Sequence, residues 1–356
     1  MSLLFRDAAG PSLAPGGSVL CVGAFDGVHV GHRALLARVR ERALRQGRVP
    51  LAISFEPVPR EFFARGVALP RLTSAREKIE LLFGAGIERL LSLRFNAALA
   101  AMPAERFIED VLVARAGARE IWVGADFRFG HARRGDIAML REHAGRCGFA
   151  VEVMPDVEVG GCRTSSSVIR DRLAAGDFDA AAQMLGRRFA IGGHVVRGRQ
   201  LGRTLGYPTA NIRLGRRTSP IGGIFAVRVR GAGIGDSGFG IRAGQHPDAW
   251  PGVASLGVRP TVDGGGEPLL EAHLFDFDGD LYGRRIEVEF VRKLRDEARF
   301  DDLDAMVRQI DRDALEARAI LDAQESPRRP GESRDPVPDV TAHGAGPRPS
   351  PARPAF

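Results

Sequence analysis

At Gly186-Arg187-Arg188 the patterning of this chain changes character, and that change constrains the architecture more than any other feature. Before it, short apolar runs alternate with segments of helical spacing. Ser18 to Gly23 reads as a strand, and from about His32 the residues Leu35, Leu36, Val39 and Ala43 fall on one helical face. The pattern repeats with strands at Leu51 to Phe55, Arg89 to Leu93, Glu120 to Val123 and Ala150 to Met154. Helices are expected between them at Glu77 to Phe83, Ala104 to Ala116 and Asp136 to Cys147. Such alternation predicts an α/β domain over 18–186, a parallel sheet covered by helices, after an N-terminal segment 1–17.

Beyond the change, glycines are dense and the apolar runs alternate with period two, as in Ile224 to Val229 and in Ile286, Val288 and Phe290 against Arg285, Glu287 and Glu289. A mainly antiparallel β-barrel domain over 187–323 is the expected closure of such strands. Phe300 to Leu321 returns to helical spacing, with Leu303, Met306, Val307, Ile310 and Leu315 as the stripe expected to pack on the barrel. Two domains suit a length of 356 residues. The tail 324–356 is rich in Pro and Arg and reads as disordered, and Gly231 to Pro251 reads as a glycine-rich insertion. Within that insertion Gly233 to Gly238 formally matches a dinucleotide fingerprint, but no helix follows it, so the match is taken as accidental.

Composition excludes several function classes. No apolar run approaches a membrane span, and the start lacks a basic head with a long hydrophobic core, so a cytoplasmic protein without membrane attachment is expected. Cys21, Cys147 and Cys162 lie too far apart for a zinc site or a disulfide framework. The net charge of +7 is scattered among 44 acidic residues, which argues against a nucleic-acid partner and leaves small phosphorylated substrates favoured. The only lysines are Lys78 and Lys293, and neither follows a glycine. A Walker A loop and a protein-kinase lysine strand are therefore both excluded, and any phosphoryl chemistry must be built without them.

The densest signal is Gly23-Ala-Phe-Asp-Gly-Val-His-Val-Gly-His32, between the first strand and the first helix. A helix start offers free N–H groups and a positive dipole end, Gly31 allows close approach, and His29 and His32 add side-chain donors. Two histidines at a helix start can equally be capping residues. Nucleotidyl transfer to a phosphate needs no protein nucleophile, only positioning and charge stabilisation. Further on, Ser165-Ser-Ser-Val-Ile-Arg170 presents hydroxyls and a guanidinium at another helix start, although serine there also suits an N-cap.

In its ten-residue context the first motif closely resembles the signature of the bacterial bifunctional riboflavin kinase and FMN adenylyltransferase family, whose first domain is a Rossmann-like H-x-G-H nucleotidyltransferase. Phe55-Glu-Pro-Val-Pro-Arg-Glu-Phe-Phe63 and Val123-Gly-Ala-Asp-Phe-Arg-Phe-Gly130 resemble two further blocks of it. The resemblance implies His29, His32 and Arg170 as catalytic residues and Gly23, Phe25, Asp26, Gly31, Asp126, Ser166 and Ser167 as nucleotide or phosphate contacts. It implies Phe55, Pro59, Phe63 and Phe129 as walls for the flavin ring, though such aromatics are as often core. Two departures stand out: Val58 where the family has histidine, and Ser167 where it has threonine.

The second domain carries a glycine-punctuated basic loop, Gly193 to Asn211, whose amides and arginines can cradle a triphosphate without a Walker lysine; Gly198, Arg199 and Gly202 are its candidate contacts. Thr209 and Asn211 offer hard oxygens suited to Mg²⁺. With Gly252 to Thr261, Glu271 to Phe277, Leu281 to Gly283 and Leu294 to Phe300, the stretch resembles the riboflavin kinase domain throughout. That resemblance implies Glu271 as base, Thr209 and Asn211 as Mg²⁺ ligands, and Arg295 at the flavin end. The expected activity is phosphorylation of riboflavin to FMN by ATP and then adenylylation of FMN to FAD, with pyrophosphate released. The rivals are a protein that keeps only one activity, and a basic flavin- or RNA-binding regulator.

Overall fold

A computed structural model describes residues 2–64, 69–198, 206–214, 218–231, 249–259 and 267–325, side chains at 258, 259, 267 and 325 excepted. Arg199, Gly202, Gly233 to Gly238 and the tail from 326 onward lie outside the described residues. The N-terminal half is the expected α/β unit, with strands β1 (Leu3–Phe5), β2 (Ser18–Val22), β3 (Val49–Glu56), β4 (Arg89–Arg94), β5 (Ala118–Gly124) and β6 (Ala150–Met154). They form one sheet in the order β1-β4-β3-β2-β5-β6, with every pairing parallel. Strand β2 explains why both faces need helices. Leu20 and Val22 face one apolar cluster with Phe107, Ile108, Val111 and Leu140, while Val19 and Cys21 face another with Leu35, Leu36, Val39 and Leu82. Each fully buried leucine of this kind contributes about 1.5–3 kcal/mol by leaving water.

Helix α1 (Val30–Arg45) starts two residues earlier than its apolar spacing suggests, because His29 serves as its N-cap. Helix α3 (Ala75–Gly84), after the short α2 (Pro59–Phe63), opens with a capping box between Ser74 and Glu77. The helix expected over Ala104 to Ala116 begins as α geometry at Ala104–Arg106 and widens to π geometry over Phe107–Arg115. The short α4 (Ala97–Ala100), the opening turn α5 (Ala104–Arg106) of that π segment, α6 (Ile137–Cys147), the hairpin of β7 (Glu158–Val159) and β8 (Cys162–Arg163), and helices α7 (Ser166–Ala174) and α8 (Phe178–Leu185) complete this half.

The second half closes six antiparallel strands into a barrel, among the described residues, in the order β10-β13-β12-β11-β14-β9. These are β9 (Ala190–Val196), β10 (Ala210–Leu214), β11 (Gly223–Gly231), β12 (Trp250–Arg259), β13 (Glu267–Leu274) and β14 (Arg285–Arg295). The predicted alternation in β14 holds, since Ile286, Val288 and Phe290 are buried within the barrel. Glu289 is also buried, and it is paired there with Arg230 and Arg188.

The C-terminal helix Leu303–Glu325 packs on the outside of the barrel, and the predicted stripe holds in part, with Met306, Val307 and Ile310 half-buried. Leu303 and Leu315 are exposed, whereas Ala317 and Leu321 bury against Ala226, Phe275 and Val291. Asp313, on the same buried face, takes three hydrogen bonds from Arg295, so an ion pair joins the apolar contacts that hold this helix.

The two halves share a core. Leu72, Ile169, Leu173, Phe178, Met184 and Leu185 belong to the same buried cluster as the barrel interior. Phe178 meets Phe225 edge-on at 5.8 Å. Glu77 ties them further, its carboxylate accepting the main-chain N–H of Ser74 at 2.6 Å and that of Gly192 at 2.7 Å.

Candidate active sites

In a parallel α/β sheet, ligands bind beyond the carboxyl ends of the strands where the order reverses, here around β2 between β3 and β5. A cavity of about 1320 Å³ lies there. Gly23, Asp26, His29, Gly31 and His32 line it together with Ser166, Ser167 and Arg170. Two helix starts therefore converge on one space, α1 capped by His29 and α7 capped by Ser165. Their unpaired N–H groups and dipoles favour an anion between them.

The imidazoles of His29 and His32 stack with centroids 3.7 Å apart. His29 Nδ1 accepts the main-chain N–H of His32 at 3.4 Å, which leaves its proton on Nε2. Burial lowers the His29 pKa to about 4, against the opposing pull of Asp26 and with the help of Arg187. Burial and the neighbouring His29 lower His32 well below its ordinary value as well. Both rings are thus neutral donors near pH 7 rather than cations. His32 Nδ1, Thr164 Oγ1 and Arg170 Nε are buried and have no hydrogen-bond partner among the described residues, which is the condition that incoming phosphate oxygens relieve.

Several predicted contacts also brace the site. Phe25 lines the cavity from a buried position, and its ring meets His32 edge-on at 5.2 Å, which supports the imidazole. Gly23 donates its N–H to Ile53 O, and a side chain on it would press on the Phe25 ring. A side chain on Gly31 would press on His29. Ser166 donates its hydroxyl to Asp26 O at 2.9 Å, while Ser167 accepts from Arg60 at 3.4 Å. Asp126 is exposed at the rim in an ion pair with Arg163.

Phe55, Pro59, Phe63 and Phe129 all line the cavity, on the side away from the imidazoles' helix, with Val58 between the first two. Phe129 doubles as core. Phe95, which sequence reasoning missed, meets Phe55 and Phe63 edge-on at 5.8 Å each and joins the same wall. Lys78 was also missed as a site residue. It is 1% exposed and links the two halves of the cavity, with Nζ donating to Phe55 O at 2.8 Å and Ala24 O at 3.5 Å and paired with Glu56 at 2.9 Å.

On the barrel, strand register assembles the second cluster. Asn211 pairs across from Glu271, which pairs across from Ser255. All three oppose the face that carries the buried Ile212, Leu270 and Ala272, so Glu271 lies on the outer face, half-buried. Asn211 is itself buried because the chain at Gly198 lies over it, where any side chain would collide with the Asn211 carboxamide. Thr209 stands two residues before Asn211, on a segment fixed by the Pro208 carbonyl meeting His273 Nδ1 at 2.8 Å. Arg295 donates to Asp313 and to Asp296 O and lies over Phe300, which fastens the C-terminal helix. No group of three His, Cys, Asp or Glu side chains suited to a metal occurs among the described residues.

Comparison with known proteins bears on both clusters. The family model described as FAD synthetase matches residues 12–168, and that described as riboflavin kinase matches 185–321. A bifunctional riboflavin kinase/FMN adenylyltransferase of Pseudomonas fluorescens is 46% identical over 305 residues, 85% of this chain and 93% of that protein. One from Escherichia coli K12 is 43% identical over 305 residues, 86% of this chain and 93% of its own. A crystal structure from Streptococcus pneumoniae, described as a macrolide-efflux protein, is 28% identical with a TM-score of 0.73, covering 89% of this chain and 98% of that one. Among the described residues no helix is long and apolar enough to cross a membrane. Two matched modules in the expected order, and relatives aligned over nearly their whole length, show that this chain belongs to the bifunctional riboflavin kinase/FMN adenylyltransferase family.

Proposed function

We propose that the chain phosphorylates riboflavin on its barrel and adenylylates the FMN product in the α/β cavity, with the residues assigned as follows. In the first reaction the ribityl hydroxyl oxygen bonds to the γ-phosphorus of ATP, the β–γ bridging bond breaks, and ADP leaves. Glu271, half-buried beside Asn211, takes the hydroxyl proton; a carboxylate needs only hydrogen-bond reach to do so. Gly198 brings the nucleotide loop against Asn211. The donor set fits Mg²⁺, which takes one or two protein oxygens and fills its remaining positions with water and phosphate. Thr209 Oγ1 and Asn211 Oδ1 would hold it, and when bound it supplies charge neutralisation at the phosphates.

In the second reaction an FMN phosphate oxygen bonds to the α-phosphorus of ATP, the α–β bridging bond breaks, and pyrophosphate leaves. No proton has to move, so the chain supplies position and donors. Neutral His29 and His32, the N–H groups at the start of α1 and the hydroxyls at the start of α7 meet the phosphates, and the phenylalanine wall takes the isoalloxazine ring. The observation that carries this reading is the convergence of two helix starts, with unpartnered buried donors, on one cavity walled by phenylalanine.

The test is to incubate the protein with riboflavin, ATP and Mg²⁺ and separate the flavins. FMN and FAD should both form. Replacing His29 and His32 by Ala should stop FAD and spare FMN, while Glu271→Gln should stop FMN and spare FAD formation from added FMN. Either change abolishing both reactions in folded protein would overturn the two-site assignment.

A further inference from the structure

Two residues of the first phosphate turn hold left-handed backbone without being glycine: Phe25 at φ 52° and the β-branched Val28 at φ 40°, with Gly27 at φ 83° between them. Each such residue costs on the order of 1–3 kcal/mol and persists only where its surroundings over-determine it. The turn ends on His29, so any relaxation moves the imidazole pair.

The groups that hold it can be followed along the main chain. The Asp26 carbonyl accepts from Ser166, and the Gly27 N–H donates to Thr73 Oγ1 at 3.0 Å. The Gly27 carbonyl accepts from Arg187 Nη2 at 2.8 Å, and the Val28 carbonyl accepts from Arg187 Nη1 at 3.5 Å. Thr73 and Ser166 lie in the stretch that matches FAD synthetase, whereas Arg187 lies in the stretch that matches riboflavin kinase.

The aim of Arg187 is built into the fold. Helix α8 ends in Gly186 at φ 70°, a left-handed cap that reverses the chain towards the turn. Arg33 of α1 secures that reversal by donating to Gly186 O at 3.3 Å. Leu185 closes against Gly27, where an added side chain would meet Leu72 and Leu185. Among the described residues Arg187 has no carboxylate within ion-pair distance, and its hydrogen bonds go to the main-chain carbonyls of Gly27, Val28 and Leu185. A partly buried guanidinium given wholly to carbonyls fixes backbone geometry with a planar fork, which an ammonium reproduces only in part.

We propose that Arg187 is a positioning residue for adenylyl transfer: from the start of the kinase module it clamps Gly27 and Val28 and so sets where His29 and His32 stand. The adenylyltransferase site is then complete only with the kinase module docked. This rests on the reading that His29 and His32 meet the ATP phosphates.

The experiment uses the full chain and follows FMN formation from riboflavin and FAD formation from FMN separately, in the parent, R187M, R187Q, R187K and H29A. In R187M, kcat for FAD formation should fall roughly tenfold to a hundredfold, the cost of a small misplacement, with KM for FMN and ATP nearly unchanged. FMN formation should stay at the parent rate, and R187K should recover most of the FAD rate. If R187M does not accumulate as folded protein, R187Q is held to the same criteria. A parental kcat in R187M or R187Q, or a kinase rate falling in step with it, would overturn the proposal. Retention of FAD formation by H29A would instead strike the underlying site reading, so the two failures are distinct.

Discussion

Arg170 and Asp26, 144 residues apart in the chain, meet at 2.7 Å across the mouth of the first site, and Asp26 is nearly buried while Arg170 keeps a solvent edge. The same carboxylate accepts the main-chain N–H of Leu72 at 3.1 Å and of Thr73 at 3.0 Å, and the Thr73 hydroxyl at 3.2 Å. Asp26 is therefore the knot joining the turn before α1, the segment before α3 and helix α7. Its pairing also sets the direction in which Arg170 faces the cavity.

Asp26→Ala should accordingly damage both stability and one activity. Removing one partner of a buried pair leaves the other uncompensated and typically costs about 3–5 kcal/mol. Chemical denaturation should show a lowered midpoint of that size, and FAD formation should be lost while the kinase persists under stabilising conditions. Arg170→Met should be milder for stability, because Asp26 retains its N–H and hydroxyl partners.

The imidazole pair predicts a pH dependence whose sign is fixed. His29 is held at about 4 by burial, and His32 is also held well below its ordinary value by burial and by His29, whereas the unfolded chain takes up protons near 6.5. The unfolded state thus binds more protons below that value, so stability is full above about pH 6.5 and declines as pH falls towards 4. Melting temperature measured across this window should drop in the parent and drop less in a His29→Gln, His32→Gln variant.

At the barrel, Gly198 and Asn211 are too close for any side chain between them. Gly198→Ala should displace the buried Asn211 carboxamide, lowering the rate of FMN formation and raising KM for ATP. FAD formation from added FMN should be unchanged, because the α/β cavity shares no residue with this cluster. Parallel assays of the two reactions on one preparation decide it.

What could be read from the sequence alone was whatever repeats with a local period. The strands β2 to β6 and the alternation of Ile286, Val288 and Phe290 carry their burial in their spacing, and the H-x-G-H block carries its own helix start. Strand β1 escaped because three residues at a sheet edge make no period. The C-terminal helix was legible in part: Met306, Val307 and Ile310 of its stripe are half-buried, whereas Leu303 and Leu315 are exposed and the long-range pairing of Asp313 with Arg295 leaves no mark in the spacing. The motif marks Phe25, which lines the cavity, while its ring contact with His32 depends on packing that no motif encodes. Arg187 and Lys78 were invisible as site residues for the same reason, since their partners lie 159 or 160 and 23 or 54 residues away.

Lys78 carries the last prediction. Its ammonium is sealed from water beside Glu56, which also accepts both arms of Arg71. Desolvation pulls its pKa down, and Glu56 opposes that pull. The carbonyls of Ala24 and Phe55 belong to the turn before α1 and to the phenylalanine wall respectively, so this one cation fixes the distance between the two halves of the cavity. Lys78→Met fills the space but removes the ammonium from the Phe55 carbonyl and the Glu56 carboxylate, leaving Ala24 O to Ser54 Oγ alone, at a cost of about 3–5 kcal/mol. Lys78→Arg keeps the charge but brings a larger planar head to a site without room for it. Both should lower FAD formation through KM for FMN as well as kcat, because the wall and the turn move relative to each other. The kinase, whose Asn211 and Glu271 are set by strand register in the barrel, should hold its rate at temperatures where the fold survives. A Lys78→Met protein with parental stability and an unchanged KM for FMN would remove Lys78 from the site.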